Sequence, residues 1–510
     1  MSTHQRKPVF AVVGTTGVGK SQLGIELAKA IGGEVINADS MQVYKGLDIA
    51  TNKATMQERD GVPHHLMDFV EPSEEYSVIE FERDALRVID EVHSRNRIPI
   101  LVGGTNYYIQ SVLWEQQIIS SAAGSDPERV NPMAGDRDVI HPSLAAHPLR
   151  ARIAEALAAT QSGTRGPALN ASADSVDLLG LLAEVDPGMA DRWHAKDTRK
   201  IRRSLQVFYT TGKAHSTLLA EQKQSGEAGS HLRFDTCVFW IYSDPATLYP
   251  RLDARVDEMT KLGLFNELSE MRHRVRSGQV LGAPASGSAD YTRGILQAIG
   301  FKEFSPYLTV LESPQPPSPD ALEKLKLEGL ELMKRATRQY AKRQVTWLRN
   351  KMAGAVLEET QGGSGEVRGR AAFYVLDASD IAKWTANVST TALTIARTFL
   401  SPTTSNEQLP FPYTLTPLAS QLFPPPPHPS PEHPTPNKPT WKKHTCPFCI
   451  DTQTGKPKVL NGEHEWRVHL GTRGHKMRMG GGESGRRGRR RESGGGDVSR
   501  EEVAGRIDVE

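Results

Sequence analysis

The amino-acid sequence predicts an α/β fold in which a parallel sheet is flanked by helices. Two observations lead to this prediction. Short apolar runs rich in Val and Ile alternate with stretches of helical pattern between residues 8 and 114, and a further apolar run, "CVFWIYS", follows at 237–243. A Gly-rich turn joins the first apolar run to the first helix. Strands that alternate with helices are typical of a parallel sheet covered on both faces.

The predicted elements follow one another in a regular order. "PVFAVVG" is an apolar run of the buried-strand type, and the stretch after it places Leu23, Ile25 and Leu27 roughly at helical spacing. Gly32 and Gly33 are expected to end that helix. "EVINA" is predicted as the second strand, "SVIEFERDALRVIDEVHSRNR" as an amphipathic helix and "IPILVGG" as the next strand.

The turn after the first strand has the pattern of a phosphate-binding loop, because four residues separate Gly14 from Gly19-Lys20-Ser21. Glycines let backbone N–H groups point at phosphate oxygens, Lys20 adds a positive charge, and Ser21 can hold Mg²⁺. The loop therefore predicts a core like that of the P-loop NTPases. Its candidate phosphate-binding residues are Gly14, Thr15, Thr16, Gly17, Val18, Gly19, Lys20 and Ser21.

The residues beside this loop differ from those of a nucleotidase. A nucleotidase needs an acidic residue that holds Mg²⁺ at the end of a strand. Here the strand "IPILV" is followed by Gly103-Gly104-Thr105, and the well-placed acid, Asp39, follows the other strand. Ligands of open α/β sheets bind at the carboxyl ends of strands, so this set suits a reaction in which the bound phosphates leave. A helix N-cap at Asp39 and a plain turn at Thr105 are the alternatives.

Changes in composition divide the chain into segments. A weakly patterned stretch with helical pieces interrupts the core, and a Pro-rich stretch that cannot hold a packed core precedes the C-terminal module. The predicted segments are the first part of the core (8–114), a helical insertion (115–184), the second part of the core (185–354), a loose region with a Pro-rich linker (355–440), a small module (441–479) and a basic tail (480–510).

The bulk composition excludes some classes of protein. The formal net charge is only +2, from 62 basic and 60 acidic residues, so total charge indicates no partner. Three cysteines make no disulfide framework, which favours a reducing compartment. The chain has no run of 18 apolar residues, so no membrane span is predicted. We expect a monomer in the cytoplasm, with nuclear and mitochondrial pools left open.

The C-terminal module carries metal-ligand spacing. Cys446 and Cys449 stand in "CPFC", and His469 and His475 follow in "HLGTRGH". Two thiolates and two imidazoles satisfy tetrahedral Zn²⁺, and so small a stretch needs a metal to fold. The basic residues between 473 and 491 favour RNA contact, with a solvated tail and a protein-binding finger as alternatives.

Several motifs in one order resemble a known family. The stretches "GTTGVGKS", "ADSMQVYKGLDIATNKAT", "GVPHHLMDFVEP", "LVGGTNYYIQ", "DPGMADRWHAKDTRKIRRSLQVFYTTGKAHS" and "ATRQYAKRQVTWLRN" resemble those of tRNA dimethylallyltransferases, also called tRNA isopentenyltransferases. The resemblance covers about Pro8 to Asn350, and the C-terminal finger is similar to that of the eukaryotic, fungal-like form.

The resemblance implies a prenyl transfer to RNA. The family moves a dimethylallyl group from dimethylallyl pyrophosphate onto the exocyclic amine of the adenosine just 3′ of the anticodon. Asp39 is then expected to be the general base, and Thr105 and Arg255 are expected to assist the pyrophosphate, which binds with Mg²⁺ in the loop. A helix-surface role is the alternative for Arg255. A P-loop kinase that binds a nucleotide and a non-catalytic RNA-binding protein are the rival functions.

The resemblance also implies contacts with the anticodon stem-loop of tRNA. The adenine pocket is expected to be lined by Ser40, Met41 and Gln42, beside Asp39. A grip on the loop backbone is expected from the basic stretch "RKIRRSL", and the candidates there are Arg199, Lys200 and Arg203. The family pattern begins with Gln and then Arg, where this chain has Arg199 and Lys200. A solvated charged face is the alternative for this stretch.

Overall fold

The structure is a computed structural model of the 510-residue chain. The residues that it describes are 6–115, 141–144, 146–158, 178–194, 197–224, 231–282, 291, 293–311, 313, 317–356, 371–401, 422, 443–450 and 457–479.

Helices and strands alternate along the first part of the chain. Their bounds are β1 Pro8–Gly14, α1 Lys20–Ile31, β2 Gly33–Asn37, α2 Asp48–Thr51, α3 Met56–Arg59, β3 His64–His65, α4 Val78–Ser94, β4 Ile98–Val102, α5 Asn106–Leu113, α6 Arg150–Ala158, α7 Leu178–Val185, α8 Pro187–Arg192, α9 Thr198–Thr211 and α10 His215–Gln224.

The later elements include the longest helix and the C-terminal module. Their bounds are β5 Asp235–Tyr242, α11 Pro245–Lys261, α12 Leu264–Arg276, α13 Ser305–Leu311, α14 Pro319–Trp347, β6 Ala371–Asp377, α15 Thr391–Leu400, β7 Lys443–Ile450, β8 Pro457–Asn461, α16 Gly462–Gly471 and α17 Arg473–Met479.

Six parallel strands form one sheet in the order β3-β2-β4-β1-β5-β6. β1 is central, and its Val12 is in register with Val102 of β4 and Phe239 of β5. Helices pack on both faces of the sheet, so the predicted α/β fold is confirmed. The four predicted strands are β1, β2, β4 and β5.

Alternation along β1 divides the core between the two faces of the sheet. Val9, Ala11 and Val13 pack with α4 and α5, whereas Phe10 and Val12 pack with α1 and α15. All five side chains are fully buried. This period of two is the geometry of a strand that is covered on both faces.

Local signals set the bounds of the helices that flank the sheet. α4 begins with a capping box, in which the Ser77 hydroxyl accepts from the Glu80 N–H and the Glu80 carboxylate accepts from the Ser77 N–H. α1 ends at Gly32, which has a left-handed φ of 66° and donates its N–H to the Ala28 carbonyl. The predicted end of the first helix is therefore correct.

The segment after residue 370 differs from the prediction. Residues 355–440 were expected to be loose, but Ala371–Asp377 forms the sixth strand and pairs with β5 from Thr236 to Tyr242. α15 then buries Ile395 and Phe399 against the sheet. The prediction is wrong for 371–401, because the strongly apolar run "AAFYVLD" outweighs the loose composition around it. The Pro-rich stretch itself lies outside the described residues, apart from Leu422.

Contacts between α-carbons divide the chain into two compact units. One unit comprises Met1–Ala190 and Asp197–Pro436, and the other comprises Asp191–Lys196 and Asn437–Glu510. The second unit contains the antiparallel pair β7-β8, followed by α16 and α17. Within the described residues, no helix has the length and apolar character needed to cross a membrane.

Candidate active site

The phosphate loop, Asp39 and Thr105 meet at one edge of the sheet. They follow β1, β2 and β4, which are neighbours in the order β2-β4-β1, so their carboxyl ends lie side by side. A cavity of about 160 Å³ opens there. Among the residues that line it are Thr16, Gly17, Gly19, Lys20, Ser21, Asp39, Gln42, Gly103, Arg255 and Gln344.

The loop after β1 is held by glycines with left-handed backbone. Gly17 and Gly19 have φ of 78° and 90°, values that L side chains rarely adopt. Lys20 is the first residue of α1, and its Nζ donates to the Thr15 carbonyl at 2.7 Å. Ser21 is exposed toward the cavity, in the first turn of α1. The loop thus presents backbone N–H groups, a cation and the positive end of a helix to one space.

Not every residue of the predicted phosphate-binding set faces this space. Val18 is buried in the apolar core, and Thr15 is 2% exposed. Gly14 is tight against the Ile241 carbonyl, since a Cβ added at Gly14 would lie 2.5 Å from that oxygen. These three residues shape the loop, and the other five line the cavity.

Asp39 belongs to a turn and not to a helix N-terminus. Its Oδ1 accepts from the Met41 N–H at 2.9 Å, so the carboxylate is fixed by its own loop. The next turn of chain is tied across to the other strand, because the Ser40 N–H donates to Thr105 Oγ1 at 2.9 Å and Thr105 Oγ1 lies 3.1 Å from Ser40 Oγ. Gly103 permits this approach, since a Cβ there would lie 2.1 Å from the Ala38 carbonyl oxygen.

Enclosure changes the pKa values of the charged groups. Burial lowers the pKa of Lys20 to about 8, with Asp39 opposing the shift and Arg255 adding to it. Burial raises the pKa of Asp39, against the Met41 N–H and Lys20, which lower it. Burial also lowers the pKa of Arg255, with Glu58 opposing the shift, and the guanidinium stays cationic because Arg is not deprotonated in proteins. The cavity therefore offers two cations beside one carboxylate of raised basicity.

Two residues of α14 that were not predicted from the sequence contact the Gly104 carbonyl beside the cavity. Gln344 is 4% exposed; its Oε1 accepts from the Thr16 N–H at 3.0 Å, and its Nε2 donates to the Gly104 carbonyl at 3.0 Å. Tyr340, one turn earlier, has its pKa raised by burial and then by Asp39, so it is a neutral donor. The spacing of Tyr340 and Gln344 on one helix face is the signal that could have revealed them.

The predicted adenine-pocket residues lie beside Asp39. Gln42 lines the cavity, and its Nε2 donates to the carbonyls of Thr51 and Asn52 at 3.0 and 3.1 Å. Met41 packs against the buried apolar cluster that includes Val43 and Tyr44, and its N–H donates to Asp39. Its position is therefore set by packing as well as by the turn.

Among the described side chains of the basic stretch of α9, none lines the cavity. Lys200 pairs with Asp197 at the start of α9, at 2.5 Å. Burial lowers the pKa of Arg203, and the neighbouring Tyr107 of α5 opposes this shift. The side chain of Arg199 lies outside the described residues. The structure thus places Arg203 near Tyr107, in the first turn of α5. This helix begins directly after Thr105.

Four residues of the C-terminal unit form a group that could bind a metal ion. The ligand atoms of Cys446, Cys449, His469 and His475 all lie within 4.8 Å of one another, and all four residues are buried. The two sulfurs lie 3.4 and 3.6 Å from His475 Nδ1. His469 Nε2 is buried with no hydrogen-bond partner among the described residues.

A model of the IPP transferase family matches residues 42–351. The chain belongs to the IPP transferase family. It is therefore a transferase enzyme.

Relatives of similar length carry the name tRNA dimethylallyltransferase. One from Schizosaccharomyces pombe is 36% identical over 475 residues, covering 92% of this chain and 94% of that protein. One from Saccharomyces cerevisiae is 34% identical over 473 residues, covering 93% and 92%. The human relative is 32% identical over 479 residues, covering 92% and 85%. Because less than a tenth of this chain lies outside each alignment, the likeness includes part of the C-terminal unit.

A solved structure of a eukaryotic dimethylallyltransferase acting on tRNA is similar in fold. It aligns with a TM-score of 0.65 and 33% identity, covering 93% of this chain and 96% of that one.

Proposed function

We propose that this IPP transferase moves a dimethylallyl group from dimethylallyl pyrophosphate to the exocyclic amine of the adenosine 3′-adjacent to the anticodon in tRNA, and releases pyrophosphate. The observation that carries the proposal is the pairing of a phosphate loop with Asp39 in one cavity, beside a strand that ends in Gly103-Gly104-Thr105. The relatives align with most of the chain, and their name, tRNA dimethylallyltransferase, supports transfer of a dimethylallyl group to tRNA.

The loop supports departure of pyrophosphate. Negative charge grows on the leaving oxygens as the allylic C–O bond breaks, and donors already aimed at that charge lower the barrier. Here the donors are backbone N–H groups of the loop, with Lys20 and Arg255, which line the cavity. Thr105, whose hydroxyl contacts Ser40, is proposed to assist them. The Ser21 hydroxyl is an oxygen ligand of the kind that Mg²⁺ prefers, and Mg²⁺ bound there would neutralise part of the phosphate charge.

Asp39 is suited to accept the proton of the adenine amine. The amine is a weak nucleophile because its lone pair is delocalised into the ring, so loss of its proton must accompany bond formation. The carboxylate is held by the Met41 N–H through Oδ1, and its raised pKa makes it a better base. Ser40, Met41 and Gln42 follow directly in the chain and are proposed to contact the base.

The adenosine must leave the stacked anticodon loop to reach this cavity. We infer that the basic faces of α9 and α14, with Arg199, Lys200 and Arg203 on α9, hold the phosphates of that loop, because such contacts position RNA without reading its sequence. The described residues of the predicted insertion include those of α6 and most of α7, and they belong to the same unit as the sheet.

The C-terminal cluster fits structural Zn²⁺. With Zn–S of about 2.3 Å and Zn–N of about 2.0–2.1 Å, tetrahedral geometry separates a sulfur from a nitrogen by roughly 3.6 Å. The observed separations of 3.4 and 3.6 Å agree with that value. Cys446, Cys449, His469 and His475 would hold the ion, which would stabilise the fold of a unit proposed to add RNA affinity. A monomeric, cytoplasmic enzyme remains the expectation.

One assay tests the proposal against its rivals. The protein is incubated with unmodified tRNA and radiolabelled dimethylallyl pyrophosphate in the absence of ATP. Label is expected in tRNA, at the adenosine 3′ of the anticodon. An absence of label in tRNA would refute the proposal, and ATP-dependent phosphate transfer to a metabolite would favour a kinase.

The Asp39→Asn variant tests the role of the carboxylate. Asn keeps an oxygen that can accept from the Met41 N–H, so the turn should hold while the base is lost. We expect kcat to fall by about 10²–10⁴-fold with pyrophosphate binding retained. Asp60→Asn is the matched control, since Asp60 is an exposed carboxylate paired with Lys29. Loss of pyrophosphate binding in Asp39→Asn would mean that Asp39 is structural.

A further inference from the structure

The indole ring of Trp384 lies against the phosphate loop, although it comes from a segment beyond the family match. The family model ends at residue 351, whereas Trp384 follows β6. A Cβ added at Gly19 would lie 2.6 and 2.8 Å from two carbons of the Trp384 ring. Gly19 is the loop residue that precedes α1 and lines the cavity, so the indole packs directly on the backbone that would hold phosphate.

A hydrogen-bonded pair holds this indole in place. Trp384 Nε1 donates to Glu26 Oε1 at 3.3 Å, and the same oxygen accepts from Gln22 Nε2 at 2.9 Å. Gln22 lines the cavity, and Glu26 lies one turn further along α1. The indole is therefore fixed to the first two turns of the helix whose N-terminus faces the cavity, in addition to its contact with Gly19.

The same segment is tied to the helix that carries Arg255. Arg251 donates from one guanidinium nitrogen to the Ala378 carbonyl at 2.9 Å and from the other to the Ser379 carbonyl. Arg251 and Arg255 are four residues apart on α11 and so share one face of the helix. Residues 378–384 thus contact both the phosphate loop and the helix that supplies the second cation of the cavity.

We propose that Trp384 is a positioning residue for pyrophosphate, which keeps the loop around Gly19 in its binding conformation while Arg251 holds the 378–384 segment against α11. This inference rests on the proposed function, because it takes pyrophosphate as the ligand of the loop. A loop held in advance loses less conformational freedom when the anion binds, and its N–H groups stay aimed at the departing charge. Trp384 touches neither substrate in this scheme.

The test compares binding and turnover in three variants. Trp384→Ala removes the indole, Trp384→Phe keeps an aromatic ring without the Nε1–H, and Lys383→Ala changes an exposed neighbour as the control. We expect Trp384→Ala to raise the Kd for inorganic pyrophosphate, measured by calorimetry, and the KM for dimethylallyl pyrophosphate by about tenfold or more, with the KM for tRNA unchanged. Trp384→Phe should recover most of the loss.

Melting temperature and circular dichroism report whether each variant is folded. A folded Trp384→Ala protein with pyrophosphate Kd within about twofold of wild type would overturn the proposal. If Trp384→Ala does not fold, Arg251→Lys decides: it keeps the charge, loses the paired contact and should raise the same Kd, and an unchanged Kd overturns the proposal. Wild-type protein that binds no pyrophosphate and labels no tRNA would instead refute the proposed function.

Discussion

Gln344 joins the phosphate loop to the residues that follow β4. Its removal should lower both the free energy of unfolding and the catalytic efficiency. In Gln344→Ala the Thr16 N–H loses its acceptor and the Gly104 carbonyl loses the shorter of its two side-chain donors, since the Tyr340 hydroxyl still lies 3.4 Å away. Each hydrogen bond is worth about 0.5–1.5 kcal/mol net, so the variant should lose about 1–3 kcal/mol of the free energy of unfolding. A loss of 1.4 kcal/mol in transition-state stabilisation corresponds to about tenfold in kcat/KM, and that is the expected order of the kinetic effect.

Gly104→Ala disturbs the same contact from the opposite side. A Cβ there would lie 2.4 Å from Gln344 Nε2, so the Gln344 side chain must move away. Gly104 has an ordinary negative φ, so the new methyl group adds no backbone strain of its own. Gly104→Ala should therefore lose the same two hydrogen bonds and resemble Gln344→Ala in stability and in kcat/KM for dimethylallyl pyrophosphate.

A double-mutant cycle decides whether the two residues act through one contact. Because both changes break the same bonds, Gly104→Ala combined with Gln344→Ala should lose little more than either alone, which gives a coupling free energy of about 1–3 kcal/mol. Urea unfolding and steady-state kinetics are the measurements. Gly354→Ala is the control, since a Cβ there meets nothing within 4 Å. Strictly additive losses in the double variant would refute the reasoning.

Three more predictions concern the charges and the metal cluster. Lys20 is charged below its pKa of about 8, so pyrophosphate affinity should fall by up to about tenfold per pH unit above pH 8. The ratio of wild-type affinity to Lys20→Arg affinity cancels titration of the ligand and should fall in the same way, whereas a flat ratio between pH 7 and 9.5 would contradict the prediction. Arg255→Ala should raise the KM for dimethylallyl pyrophosphate by about tenfold, and Arg255→Lys should reverse part of that increase. An unchanged KM in Arg255→Ala would mean that Arg255 has only a role on the helix surface. Cys446→Ser should lower bound zinc in metal analysis and raise the KM for tRNA more than it lowers kcat, and an unchanged KM for tRNA would give the C-terminal unit another task.

The central part of the fold was predictable because its signals are local. Each of these signals spans only a few consecutive residues. They are the apolar runs of β1 and β4, the Gly-rich turn between β1 and α1, and the capping box of α4. Asp39 and Thr105 could be paired for a related reason. Both follow strands, and the carboxyl ends of parallel strands share one edge of the sheet.

The remaining features depend on contacts between distant parts of the chain. Gln344 reaches Thr16 across 328 positions, and Trp384 reaches Glu26 across 358. The spacing of Tyr340 and Gln344 places both on one face of α14, but it does not show which distant loop that face contacts. β6 was not predicted for a different reason, because its apolar run stands between residues of loose composition. The run "AAFYVLD" is itself typical of a buried strand.

The late position of β6 in the sequence has a consequence for incompletely made chains. A polypeptide that stops before Ala371 retains the phosphate loop, Asp39, Thr105 and the whole of 42–351, yet it lacks the strand that covers one side of β5. β5 would then expose an unpaired row of N–H and C=O groups along an apolar strand that contains Phe239 and Trp240. Such an edge is a template for pairing with other chains. Premature termination in this region should therefore yield aggregates and not a smaller enzyme.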